Sequence, residues 1–389
     1  MVTVLYVWRS MAILAGIERA ISIKINWLAS HGYKVVLVTY EQGSHPLAFS
    51  LHPDVRVFDL KTPFHVLSKY PFYKRWLYYL RMKSVFLRKL RDVVEDVHPD
   101  VVLTIAGCMN VIKEIYKACS FSKLIIESHE TFFSVIKEPM YINNPILKIF
   151  SKIYDKRCLY YIDHFDRLVS LTYGDVGEWR KHISIPLNVI PNPIPHYPFS
   201  LNERTNNTYF RIISAGRLEE VKGFDRLIKA FAIIEKKCPK WRVDIFGKGS
   251  CEDELRKLIA SYHLEKRIKI LPPTNNIYSE YQNSDFYVLS SYHEGLGMVL
   301  LEAMACGIPC VSFNCDYGPR EIIVDKVTGI LVEDGNVEKL AQEILWMVEH
   351  HKERLEMGNN ACEAIKKYSV DTIMQKWTIL FDELFQTTN

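Results

Sequence analysis

Short apolar runs rich in Val and Ile alternate along this chain with longer stretches of helical periodicity, and that rhythm restricts the fold more than any other feature. The first half holds Val2–Val7, Lys34–Thr39, Val55–Phe58, Val101–Ile105, Leu124–Ile126 and Leu168–Leu171. The second repeats it with Phe210–Ser214, Val243–Phe246, Ile268–Leu271, Phe286–Leu289, Pro309–Phe313 and Ile330–Val332. Continuously apolar strands separated by helices predict parallel sheets covered on both faces. At 389 residues there is chain enough for two such domains, each able to bury its own core. Between the halves, Pro191, Pro193, Pro195 and Pro198, then Asn202–Thr208, have the composition of a linker. The predicted fold class is α/β: two doubly wound, Rossmann-like domains, 1–195 and 196–370, facing each other across a cleft. Ligands are expected at the carboxyl ends of the strands.

Composition excludes some classes without choosing a function. A hydrophobic fraction of 48% with 24% charged residues is ordinary for a globular protein. The opening run Met1–Arg9 is too brief for a secretory core, and no stretch approaches the roughly 18 to 20 apolar residues of a spanning helix. A transmembrane protein is therefore not expected. The nine cysteines are odd in number and lack C-x-x-C spacing, which predicts reduced thiols in the cytoplasm and no disulfide framework. Cys306, Cys310 and Cys315 have gaps that suit zinc poorly, so no metal site is expected.

Charge is unevenly divided. Residues 1–195 hold 25 Lys and Arg against 17 Asp and Glu, while the remainder holds 24 against 28. The densest source is the segment 69–91, with eight bases, no acid and interleaved aromatics. Such a segment suits an anionic membrane surface, where rings sit at the headgroups and each base contributes about 1 kcal/mol. Nucleic acid is the rival partner for a basic, aromatic run; the lack of a recognition motif and a pI near 8.4 argue against it.

Two carboxylates, Glu294 and Glu302, are separated by seven residues in the run Ser291–Pro309. After Gly297 no helix breaker appears until Gly307, and Met298, Leu301, Met304 and Ala305 recur at helical spacing, so a helix is predicted to start near Gly297. Glu302 then lies about one turn into the helix and Glu294 in its entry loop, where free backbone N–H groups also face a ligand. Together they can grip two parts of an elongated, hydroxyl-rich molecule.

With this pair go Ser214-Ala-Gly-Arg-Leu218 followed by Lys222-Gly223, Ile245–Gly249, Gly318-Pro-Arg-Glu-Ile-Ile323 and Gly329–Val332, and more weakly Ala15–Arg19 and Glu127-Ser-His129. In that order they resemble the retaining GT-B glycosyltransferases with an E-x7-E motif, glycosyltransferase family four of the "glycosyl transferases group 1" type, which build polysaccharides and glycolipids from nucleotide-diphosphate sugars. The resemblance implies that Arg217 and Lys222 bind the donor diphosphate, with Gly16 at the start of a helix near Ile17 as a second phosphate contact. Family members often show two adjacent glycines where this chain has Ala15-Gly16. It implies that Glu302 accepts hydrogen bonds from ribose hydroxyls, and that Glu294 acts on the donor sugar and the transition state. Gly295, Leu296 and Gly297 would supply N–H donors beside it. His129 would contact the donor sugar as a second catalytic group. Gly247 would lie in the nucleotide loop; with Glu252 where a third glycine would stand, no dinucleotide fingerprint is present. In the run with Arg320, Glu321 is expected to brace the loop that carries Glu294 through backbone hydrogen bonds. Residues 371–389 would form a helix packing back on the first domain.

The expected function is transfer of a hexose or N-acetylhexosamine, with retention, from a nucleotide-diphosphate sugar, UDP first, to a lipid-linked saccharide or growing polysaccharide. No metal and no cofactor are expected, and the place is the cytoplasm at the inner face of the membrane. Whether Glu294 acts as nucleophile or stabilises a same-face displacement stays open. The alternatives are a nucleotide-sugar epimerase of the same fold and a non-catalytic saccharide-binding protein.

Overall fold

The structure, a computed structural model, describes residues 1–13, 15–136, 145–195 and 209–386. It divides into two compact units, Met1–Pro193 with Val370–Asn389, and Ile194–Ser369. Of the expected linker, Pro198 and Asn202–Thr208 lie outside the described residues.

The first unit is built on seven parallel strands in the order β3-β2-β1-β4-β5-β6-β7. They are β1 (Thr3–Trp8), β2 (Lys34–Thr39), β3 (Arg56–Asp59), β4 (Val101–Ile105), β5 (Lys123–Ser128), β6 (Arg167–Ser170) and β7 (Leu187–Val189). All of β1 and β4 is buried, which is why their sequences run apolar without alternation. Strand β7 escaped the sequence reading because three residues, Leu-Asn-Val, carry too little pattern.

The helix Val370–Gln386 belongs to this unit. Ile373, Met374, Trp377, Leu380, Phe381 and Leu384 are buried along one stripe of it. At its start Asp371 accepts a hydrogen bond from Trp27 Nε1 (2.8 Å), on the helix Gly16–Ser30. The Trp377 ring lies 5.0 Å from the Lys24 ammonium of that helix.

The second unit has six parallel strands in the order β10-β9-β8-β11-β13-β15 and a separate pair, β12-β14. These are β8 (Phe210–Ala215), β9 (Trp241–Phe246), β10 (Ile268–Leu271), β11 (Phe286–Leu289), β12 (His293–Glu294), β13 (Cys310–Phe313), β14 (Asp316–Tyr317) and β15 (Gly329–Val332). Strand order reverses between β8 and β11, so the carboxyl ends of these two strands form the switch point at which such sheets bind ligands. Among the described residues no helix is long and apolar enough to cross a membrane.

Candidate active site

Most of the predicted residues of the second unit follow β8, β9 and β11. The loops after β8 and β9 run side by side: Gly216 N–H donates to Phe246 O (2.9 Å) and Leu218 N–H to Lys248 O (3.1 Å). A Cβ on Gly247 would stand 2.0 Å from Gly216 O, and one on Gly249 would stand 2.4 Å from Leu218 O. Close approach of two backbones thus accounts for both glycines without a ligand. Gly247→Ala is expected to cost about 1–3 kcal/mol, as overpacking does, and to displace the loop bearing Arg217; chemical denaturation checks it. The end of β8 is pinned by Tyr287, whose hydroxyl accepts from Ala215 N–H (3.1 Å) and donates to Ala215 O (3.0 Å).

Lys222 and Glu294, 72 residues apart, meet at the end of this strand pair. Lys222 Nζ donates to Glu294 Oε1 at 2.7 Å, and Ser291 Oγ donates to the same oxygen at 2.7 Å. The Glu294 side chain is 8% exposed and that of Lys222 is 23% exposed. Gly223, at φ +59°, lets the Lys222 loop press on β11: a Cβ there would lie 2.2 Å from Ser290 O. Arg217 stands exposed at the same end, and its charge helps to hold the Glu219 carboxyl below its ordinary range, after the Ser250 hydroxyl and N–H.

Glu294 is not in a free loop, as the sequence suggested. It lies in β12, paired in parallel with β14, so that Glu294 stands opposite Tyr317. A two-residue strand has no sequence signature, which explains the miss. Tyr317 has φ 70° and ψ −76°, a strained conformation for an aromatic residue. The next residue, Gly318, would place a Cβ 2.3 Å from Leu296 O. The loop Gly295–Gly297 is therefore braced by Tyr317 and Gly318, while the Glu321 carbonyl accepts from the Tyr368 hydroxyl (3.2 Å). Arg320 is exposed. Ala is ordinarily more stable than Gly inside structure by about 0.5–1 kcal/mol. At position 317 that order is expected to reverse, Tyr317→Gly being more stable than Tyr317→Ala by about 1 kcal/mol, because only Gly relieves the positive φ; their melting midpoints decide it.

The helix Met298–Ala305 begins after Gly297, which caps it at φ +85°. Glu302 sits within it among buried apolar neighbours, itself 7% exposed, and its Oε2 accepts from the Tyr281 hydroxyl at 3.4 Å.

In the first unit Gly16 opens the helix Gly16–Ser30, with Ala15 as its cap. A Cβ on Gly16 would meet nothing within 4 Å. His129 follows β5, but its side chain is only 1% exposed and both ring nitrogens are engaged. Nε2 bonds Glu127 Oε2 (2.9 Å) and Nδ1 bonds Asn192 Nδ2 (3.1 Å). The Lys24 ammonium pairs with the same carboxylate. Burial pushes the His129 pKa down, so the ring is neutral: its Nε2–H donates to Glu127, and Nδ1 accepts from the Asn192 amide. Burial pushes Glu127 up, but the Lys24 charge and the His129 N–H outweigh it and hold the carboxyl below its ordinary range. In this arrangement both ring nitrogens are taken by protein partners.

Sequence reasoning passed over Lys24, Asn192, Ser291, Tyr281 and Tyr287. Lys24 had a signal, being a lysine inside the apolar stripe Ala20, Ile21, Ile25 and Leu28. All nine cysteines are free, and all but Cys251 are buried. Among the described residues no cluster of His, Cys, Asp or Glu is placed to hold a metal ion.

Two Rossmann-like sheets, with a carboxylate pair and two cations at the strand ends of the second, define a protein of the GT-B glycosyltransferase fold. Residues 200–364, within the second unit, match the family model of the Glycosyl transferases group 1. An uncharacterized glycosyltransferase of Haemophilus influenzae is 26% identical over 364 residues, spanning 93% of this chain and 95% of its own. The poly(glycerol-phosphate) alpha-glucosyltransferase of Bacillus subtilis is 26% identical over 243 residues, 61% of this chain but only 34% of its own. Among solved structures, sucrose-phosphate synthase from Thermosynechococcus elongatus superposes with a TM-score of 0.79 at 17% identity, covering 100% of both chains. Anabaena HepE, in complex with UDP and glucose, superposes at 0.73 and 18%, covering 98% of this chain and 100% of its own.

Proposed function

We propose that this chain is a retaining glycosyltransferase that moves a hexose or N-acetylhexosamine from a UDP-sugar to a lipid-linked saccharide or growing polysaccharide, with no metal ion in the step. The observation that carries this reading is the contact of Lys222 with Glu294 (2.7 Å), with the exposed Arg217 in the same loop as Lys222 and Glu302 buried in the helix that follows Glu294. A departing nucleoside diphosphate develops negative charge, and preorganised cations and N–H groups are what stabilise it. Arg217 and Lys222 supply the cations. Lys222, already beside Glu294, bridges the diphosphate and the carboxylate facing the sugar. Glu294, with the N–H groups of Gly295, Leu296 and Gly297, holds sugar hydroxyls and stabilises the transition state. Glu302 accepts from the ribose hydroxyls, Gly16 contributes a phosphate contact, and Gly247 keeps the nucleotide loop close to the Arg217 loop. His129 acts through its backbone carbonyl, its ring serving to position the loop after β5.

The names of the relatives support this choice: one is an alpha-glucosyltransferase on a poly(glycerol-phosphate), and one of similar fold binds UDP and glucose. Work at the inner face of the membrane follows from an acceptor carried on lipid. The test is a thermal-shift and nucleotide-release assay over UDP-, GDP-, ADP- and dTDP-sugars. The proposal expects one donor, a UDP-sugar, to raise the melting point and to be slowly hydrolysed. No stabilisation by any donor, or epimerisation of the sugar without release, overturns it.

A further inference from the structure

The basic, aromatic segment 69–91 plays no part in the donor site, and its placement gives it a separate role. It spans most of the helix Phe72–Val97, whose second half is anchored by Phe86, Leu90, Val93 and Val97, all buried. Among the described side chains of the first half none is fully buried, although Tyr79 packs on Phe64 and Lys83 pairs with Glu114. Trp76 is 67% exposed, Leu77 70% and Leu80 45%, in a segment that offers eight bases and no acid.

A second helix, Pro145–Ile162, carries the same chemistry. Ile149 and Ile153 are 59% and 58% exposed on it, and it bears four bases against one acid. The two helices converge on one short stretch: Tyr79 donates to Asn110 O (3.2 Å) and Cys158 donates to Met109 O (3.6 Å). Trp76 stands three residues before Tyr79 on the first helix, and Ile153 five residues before Cys158 on the second.

We infer that these two helices form one docking face for an anionic lipid bilayer. Large apolar groups left in water on a protein surface mark a contact site, and the surrounding charge selects the partner. A second copy of the same face would set the dozen bases of one copy against the dozen of the other, which disfavours self-association. A negatively charged bilayer accepts both components: bases pair with headgroups while Trp76, Leu77 and Ile153 enter the boundary between headgroups and acyl chains. The inference adds the lipid side of the acceptor to the proposed reaction, but its test does not depend on catalysis.

The full chain is to be sedimented with vesicles of phosphatidylcholine alone and of phosphatidylcholine mixed with phosphatidylglycerol. Binding is expected to the mixed vesicles only and to weaken as salt is raised. Trp76→Ser with Leu77→Ser is expected to lower the partition coefficient roughly 10- to 100-fold, and Ile153→Ser to lower it further. Reversing Lys74 to Glu should cost at least about fivefold. These surface variants should keep the wild-type melting point and the wild-type nucleotide release from a soluble donor. Equal binding to neutral vesicles, binding unchanged in the variants, or concentration-dependent dimerisation with no vesicle binding would each overturn the inference. Loss of donor turnover with vesicle binding intact would instead fault the transferase reading.

Discussion

Glu294→Gln is expected to lower nucleotide release from the donor by about 100- to 1,000-fold, the range found when one preorganised polar contact to a transition state is lost, while changing the melting point little. The two effects separate because of where the charges sit. Glu294 is nearly buried and takes hydrogen bonds from both Lys222 and Ser291 through one oxygen. An amide of the same shape keeps an acceptor for Ser291 but gives up the charge that holds Lys222. The Lys222 side chain, 23% exposed, can turn to water, so no buried ion is stranded. Lys222→Ala tests the pair from the other side. It leaves the Glu294 carboxylate enclosed without its cation, which costs stability of about 1–3 kcal/mol as well as activity. The double variant should be little less active than either single one, since residues that act as a unit are not additive. Wild-type release by Glu294→Gln would remove Glu294 from the reaction altogether.

What the sequence disclosed and what it withheld differ in range of interaction. β2, β4, β10 and β11 have the bounds that their apolar runs predicted: β4 and β11 are buried on both faces and write a continuous pattern, while β10 at the sheet edge alternates, with Lys269 exposed. The Met298–Ala305 helix, with Glu302 buried in it, was legible for a similar reason: Gly297 caps it and nothing breaks it before Gly307. Contacts between distant residues leave no such trace. Lys222 and Glu294 were each visible, but not their meeting, which depends on Gly223 bringing one loop onto Ser290. The β12-β14 pair is two residues long on each side and is held by Gly318 fitting under Leu296. Glu127-Ser-His129 reads as a motif at a strand end, whereas its side chains turn inward to partners that no local pattern joins to it, Lys24 being 103 residues away.

That inward network carries the largest expected effect on stability. Lys24 and Glu127 are 1% and 2% exposed, and removing one partner of a buried ion pair costs about 3–5 kcal/mol because the other charge stays behind. Glu127→Gln should therefore unfold at a clearly lower denaturant midpoint, whereas Glu127→Gln with Lys24→Met, which removes both charges, should recover much of the loss. The pH dependence fixes the sign. In the wild type the Glu127 carboxyl is held below its ordinary 4.5, so its contribution is complete above that pH and drains away as pH falls further. The His129 ring, lowered from 6.5 by burial, adds a milder loss that begins as pH drops below that value, since the unfolded ring takes up its proton first. In Glu127→Gln the slope below 4.5 should flatten. Lys24, already lowered from 10.5 by burial, then lacks its anion and is lowered further. The variant should gain stability on wild type as pH rises toward 10.5, where the unfolded lysine also loses its proton. Denaturant midpoints measured from pH 2 to pH 10 read both limbs. A constant gap between the two proteins across that range would mean that Lys24 finds another anion once Glu127 is gone.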